Sequence, residues 1–277
     1  MMALLPLLSL LPTPAAAAPV GSGKPAIVLV AFGTSVPQAR QVFAHIDEQA
    51  RLRYPGYQIR WAFTSKIIMA KLKAQGIVTQ SVAEVVADLC ASGVTSVVFQ
   101  SLHVVPGEEY RSVQQVDTSG LEVAYGKALI SSDSDIAAVI QALRPQIDPA
   151  QPTVLVAHGN NRHARFNERI LALAERIEGQ FPNLVVASVE GQPGTGPLAK
   201  ARALCGATGS VRFLPLMIVA GDHIMNDVMG DEPDSWKNQV AAAHSECSAS
   251  LGWNDAILAI YFDHLDQAMA SLAGAGS

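Results

Sequence analysis

A chain of 277 residues, 49% hydrophobic and 16% charged, carries ample apolar surface for one or two globular domains. Its formal net charge of -5 leaves no overall basic footprint for nucleic acid, so an acidic substrate would need locally placed Arg and Lys. The three cysteines (Cys90, Cys205, Cys247) lack CxxC spacing, which indicates neither a disulfide framework nor a cysteine metal site. Cys90 and Cys205 fall in apolar helical patterns and are expected in the core.

The amino terminus reads as a signal peptide over residues 1–17. Met2 to Leu11 is almost wholly apolar, and small residues follow around an Ala-x-Ala site, with cleavage expected after Ala17. No Lys or Arg precedes the apolar run: either the true start lies upstream or the signal is atypical. Pro6, Pro12 and Pro14 argue against a buried helix. The run is too short to span a bilayer, so an exported, periplasmic protein without a membrane span is expected.

From Lys24 to Phe32 the chain predicts a buried parallel strand, followed by a turn at Gly33 and a helix ending near Tyr54-Pro-Gly56. Tyr57 to Phe63 is a second strand. Ile67 to Gln75 and Val82 to Ala91 are helical patterns, Val94 to Leu102 a third strand, Glu122 to Leu129 a fourth, and Ser134 to Ile147 a helix. Asp148-Pro-Ala-Gln-Pro152 has the composition of a linker. A strand follows at Pro152 to Gly159, then a helix to Gln180, a strand from Leu184 ending in Glu190, and a helix over Pro197 to Leu204. The apolar strand Phe213 to Ala220 delivers Gly221-Asp222-His223, and Ser235 to Ser245 and Ala256 to Leu272 are the last helical patterns.

The chain repeats itself. Pro152-Thr-Val-Leu-Val-Ala-His-Gly159 matches Pro25-Ala-Ile-Val-Leu-Val-Ala-Phe-Gly33 apart from one residue, with His158 standing where Phe32 stands. Laying Leu102–Glu109 over Leu216–His223 aligns Gly107 with Gly221 and Glu109 with His223. The expected fold is therefore α/β, with two similar parallel-sheet halves (24–148 and 149–277) related by a pseudo-two-fold and facing one cleft.

In such sheets, residues at strand carboxyl ends converge on a shared crevice. His158, Glu190 and His223 each lie just past a different strand of the second half. Two nitrogens and one oxygen suit Zn, Co, Fe or Ni, and an incomplete protein shell suits a metal in transit or in catalysis. A hydrogen-bonded structural role is the alternative for each His, and solvation or an Arg partner the alternative for Glu190. Glu109, with Glu108 as its rival, is placed as an acid or base across the cleft. His103 has apolar neighbours; it is either packed, or an extra axial ligand for haem or a metal at a subunit contact of a homo-oligomer. His163 is expected on a helix surface, and His45, His244 and His264 within helices. Met225 and Met229 are expected in the core or a pocket wall.

Leu155-Val-Ala-His-Gly159, Leu214-Pro-Leu-Met-Ile-Val-Ala-Gly-Asp-His-Ile-Met-Asn-Asp227, Asp234-Ser-Trp-Lys237 and Leu102-His-Val-Val-Pro-Gly-Glu-Glu-Tyr110 together resemble the anaerobic cobalt chelatases. The likeness runs from Lys24 to Leu272. It implies a chelatase-like fold that inserts Co(II), or in relatives Fe(II) or Ni(II), into sirohydrochlorin or a related tetrapyrrole. It also implies His158, Glu190 and His223 as metal ligands, with His158, His223 and Glu109 serving catalysis. The longer Gln192–Pro197 segment is a departure that bears on Glu190, and export is unexpected for a step of cobalamin synthesis. A polycarboxylate substrate calls for cations, and Arg40, Lys66, Lys127 and Arg162 are the candidates. The alternative is a periplasmic tetrapyrrole, haem or metal carrier on the same scaffold.

Overall fold

The computed structural model describes residues 23–275; the expected signal peptide lies outside the described residues. Two four-stranded parallel sheets are formed. The first has order β2-β1-β3-β4, from β1 (Ala26–Ala31), β2 (Ile59–Phe63), β3 (Ser96–Ser101) and β4 (Glu122–Gly126). The second has order β6-β5-β7-β8, from β5 (Thr153–Gly159), β6 (Leu184–Glu190), β7 (Ser210–Leu216) and β8 (His244–Cys247). The strand orders are the same in the two halves, as the sequence repeat requires. Every residue of β1 is buried, because helices cover both faces of a parallel sheet.

The helices of the first half are α1 (Pro37–Arg53), α2 (Lys66–Ala74), α3 (Val82–Ala91), α4 (Glu108–Gln114) and α5 (Asp133–Leu143). Val42, Phe43, Ile46 and Ala50 form the buried stripe of α1, spaced to fall on one face at 3.6 residues per turn. Ser81 starts α3 with a reciprocal capping box to Glu84, and Ser132 starts α5 in the same way with Asp135.

The second half contributes α6 (Glu168–Gln180), α7 (Leu198–Thr208), α8 (Trp236–Val240) and α9 (Asp255–Ala275). Two sequence expectations change here. The pattern over Ser235 to Ser245 is not one helix. Ala241 takes a left-handed conformation (φ 54°) that ends α8, and His244 begins β8, paired with Ser210. His244 is thus an edge-strand residue. The second correction concerns α9, which the 149–277 half was expected to keep. It packs instead on β3 and β4 of the first sheet. Its buried face is Ile257, Leu258, Tyr261, Leu265 and Ala268, an i, i+4 stripe for which the first sheet supplies an open apolar face. Full burial of each large side chain contributes about 1.5–3 kcal/mol, so the crossing ties the halves firmly. Tyr261 Oη donates to the carbonyls of Leu102 and His103 at 3.1 Å each, fixing the loop that leads to α4. His264, buried on the same helix, meets Asp135 at 3.2 Å.

The halves also meet through ion pairs. Asp133 of α5 receives Arg169 at 3.0 Å and Arg176 at 2.7 Å, both from α6. Cys205 is buried as expected; Cys90 is exposed, on the outer side of α3. His45 is held on α1 by Asp255 at 3.0 Å and stacks on Trp253.

Candidate active site

The carboxyl ends of the two sheets face each other. Thr34, just past β1, lies against Gly221, just past β7: a Cβ on Gly221 would stand 3.1 Å from Thr34 Oγ1. Glycine at 221 therefore lets the loops of the two halves approach closely.

At the end of β5, Gly159 turns left-handed (φ 79°), and any Cβ there would collide with the Glu190 carbonyl. Gly159 and Glu190 are register partners, so β5 and β6 end side by side, with His158 one residue away. The next turn is held by buried Asn167, whose amide bonds Asn160 N and O at 2.8 and 2.9 Å. Asn161 Oδ1 accepts from Gly191 N, closing this turn onto the end of β6. Ser188 bonds Gly194 through its backbone and its hydroxyl, which folds the long Gln192–Pro197 segment back on β6.

His158 and His223 come together. Their ring centroids lie 4.8 Å apart, edge to face at 83°; His158 is exposed and His223 half-buried. His158 Nδ1 is 2.9 Å from the Gly159 carbonyl, and His223 Nδ1 is 2.6 Å from Asp227 Oδ2. Glu190 is not gathered with them. Among the described residues no three His, Cys, Asp or Glu side chains are grouped so as to hold a metal ion. Two imidazoles are pre-assembled, and the carboxylate is adjacent only through the strand register.

From the first half, Glu109 is half-buried in the first turn of α4, and Glu108 beside it is exposed. Arg162 Nη1 reaches Glu108 at 3.7 Å, placing the start of α4 opposite the turn that follows His158. Phe166 is buried with two guanidiniums near its ring, Arg111 of α4 at 5.2 Å and Arg165 at 4.9 Å, and His163 meets it edge to face. His163 precedes a 3-10 turn and is not on a regular helix surface.

The other expected cations separate. Lys66 opens α2 and Lys127 follows β4, and both are exposed at strand carboxyl ends. Arg40 is a correction: it is 7% exposed, its guanidinium near Gln75 Oε1 at 3.5 Å. Burial lowers its pKa from the ordinary arginine value, and its side chain is enclosed by packing rather than open to a ligand. His103 has hydroxyls on both ring nitrogens, Ser101 Oγ at 2.8 Å from Nδ1 and Thr64 Oγ1 at 3.5 Å from Nε2. Burial drives its pKa down to about 4, so the ring is neutral at pH 7. Met225, in the turn after His223, is 52% exposed and is not a core residue.

The cobalt chelatase (CbiK) family model matches residues 25–270. The chain belongs to that family. A sirohydrochlorin cobaltochelatase of Salmonella typhimurium is 33% identical over 258 residues, covering 89% of this chain and 97% of the relative. Sirohydrochlorin cobaltochelatase CbiKC of Nitratidesulfovibrio vulgaris is 29% identical over 263 residues, covering 90% and 92%. Among solved structures, SirB from Bacillus subtilis with Fe3+ superimposes with a TM-score of 0.61 at 12% identity, covering 91% of this chain and 98% of that one. CbiX, the terminal enzyme for siroheme biosynthesis in denitrifying bacteria, gives 0.53 at 15%, covering 88% and 99%. At those identities the likeness is one of fold. As a CbiK-family chelatase, the chain is a metal-handling enzyme whose cleft lies between two sheets.

Three charged residues beside these positions had not been singled out from sequence. Asp227 had a legible signal, an acid four residues beyond His223. Arg111 and Arg165 had none, because their shared partner Phe166 is met only in the tertiary fold.

Proposed function

We propose that this chain inserts cobalt(II) into sirohydrochlorin or a closely related polycarboxylate tetrapyrrole. The observation that carries the proposal is the His158–His223 pair, two imidazoles from different strand ends set 4.8 Å apart in an open cleft. Insertion must remove two pyrrole protons and exchange the metal's waters for four ring nitrogens. Neutral imidazoles bind Co(II) as borderline ligands and give it up to a better nitrogen donor set. Glu190, in register beside Gly159, supplies the anionic oxygen once a cation is present, which limits uncompensated charge. Glu109, at the α4 side of the cleft, or either imidazole accepts the pyrrole protons. Arg162, Arg111, Arg165, Lys66 and Lys127 provide positive charge at the rim for the substrate's carboxylates.

The test is a spectrophotometric chelation assay with sirohydrochlorin and Co(II), Fe(II) or Ni(II). Multiple turnovers with Co(II) support the assignment. A stoichiometric, slowly released complex without turnover contradicts it and identifies a carrier. Haem at His103 would require its ring to leave Ser101 and Thr64, so those bonds favour a structural role for this residue.

We also infer export to the periplasm, from the apolar run Met2 to Leu11 and its alanine-rich site. The mature protein is expected to begin near Ala18. Amino-terminal sequencing of the native protein that returned an intact Met1 terminus would refute this.

A further inference from the structure

As a proposed ligand, His223 uses one ring nitrogen, and the other faces Asp227 Oδ2 at 2.6 Å. A contact this short is a hydrogen bond, and a carboxylate oxygen is its acceptor. The hydrogen then sits on Nδ1, and Nε2 keeps its lone pair. His158 is set in the same sense, since its Nδ1 is 2.9 Å from a backbone carbonyl, which can only accept. Both rings of the pair are thereby held with Nε2 as the donor atom.

The local backbone selects which acid serves His223. Asp222 is adjacent in sequence, but its Oδ1 is taken by Asn226 Nδ2 at 2.9 Å. Two i, i+4 pairs run side by side, 222 with 226 and 223 with 227. Both run from the residues before it into Ile224–Val228, a single π-helical turn of the kind that is rare and concentrates at functional sites. The side chains of His223 and Asp227 are 37% and 47% exposed, so Coulomb attraction between them is screened and adds little stability. What the contact does is orient a ring.

We propose that Asp227 is a positioning residue for metal capture. It accepts the Nδ1–H of His223, fixes the tautomer and ring plane with Nε2 toward the incoming Co(II), and leaves a negative charge behind the ring as the cation arrives. Carboxylates placed in this way behind ligating histidines typically change metal affinity 10–100-fold. The proposal rests on His223 being a ligand and does not depend on the identity of the tetrapyrrole.

The test uses the full chain with Co(II) alone, followed by calorimetry and by the Co(II) d–d absorption bands. Asp227→Ala is expected to weaken Co(II) binding about 10–100-fold. Asp227→Asn, whose amide oxygen still accepts from Nδ1–H, should lose less affinity and covers the case in which the alanine variant does not fold. Long-range 1H–15N NMR of the metal-free protein should show the Nδ1–H tautomer of His223 in wild type and Asp227→Asn, and mixed tautomers in Asp227→Ala. Unchanged Co(II) affinity and an unchanged tautomer in Asp227→Ala would overturn the positioning role. His223→Ala separates the two claims: if it too binds Co(II) like wild type, it is the ligand assignment that fails.

Discussion

Thr34 and Gly221 meet across the cleft, with the threonine hydroxyl 3.1 Å from where a Cβ on residue 221 would stand. The two halves close on each other at this point, two residues before His223. Gly221→Ala should push the Thr34 loop aside, costing about 1 kcal/mol as a mild overpacking and lowering turnover through a wider cleft. Thr34→Gly in the same chain should restore part of both losses, because the clashing side chain is gone. Urea unfolding and chelation rates of the single and double variants check this. A Gly221→Ala enzyme with wild-type stability and turnover would show that the approach is not needed.

The half-buried, neutral ring of His103 makes stability depend on pH. Its folded pKa of about 4 lies below the ordinary 6.5, so between these values the unfolded chain takes up a proton that the folded chain does not. Its neutral ring is accommodated at no such cost above pH 6.5. The stability is lost as pH falls toward 4, by roughly 1.4 kcal/mol per pH unit. His103→Gln should flatten this part of the profile. Parallel profiles for wild type and variant, from urea melts between pH 4 and 7, would contradict the assignment.

Glu190 and Glu109 are expected to fail in different measurements. Glu190→Ala should weaken Co(II) binding, because the cation is its proposed partner. Glu109→Ala should leave metal affinity largely unchanged and reduce turnover by about 10²–10⁴-fold, the range for a lost acid–base group. Calorimetry showing full cobalt affinity in Glu190→Ala removes that residue from the ligand set.

The sequence repeat made the two parallel sheets and their facing ends legible, because β1 and β5 share an apolar run and a closing glycine at Gly33 and Gly159. It also located His158 and His223, since a strand end fixes where a side chain emerges. What periodicity could not show was partnership across the molecule. The α9 stripe is apolar whichever sheet it covers, and only the tertiary fold assigns it to β3 and β4. The Ser235–Ser245 pattern hid a left-handed stop at Ala241, a residue type with no turn signal of its own. Arg40 looked like a surface cation because a charge count carries no burial, yet it is 7% exposed. Glu190 could be placed at the end of β6, but the Gln192–Pro197 segment that folds back on that strand has no periodic signature.

The proposed handover of Co(II) to the tetrapyrrole requires His158 and His223 together. Its most direct measurement is the initial rate of cobalt insertion into sirohydrochlorin, followed by absorbance at saturating Co(II), for wild type, His158→Ala and His223→Ala. The wild type is expected to turn over repeatedly. Each variant should lose at least about 100-fold in rate, on the scale of a missing catalytic group, while its circular dichroism stays that of the folded protein. Near wild-type turnover in either variant would contradict the account.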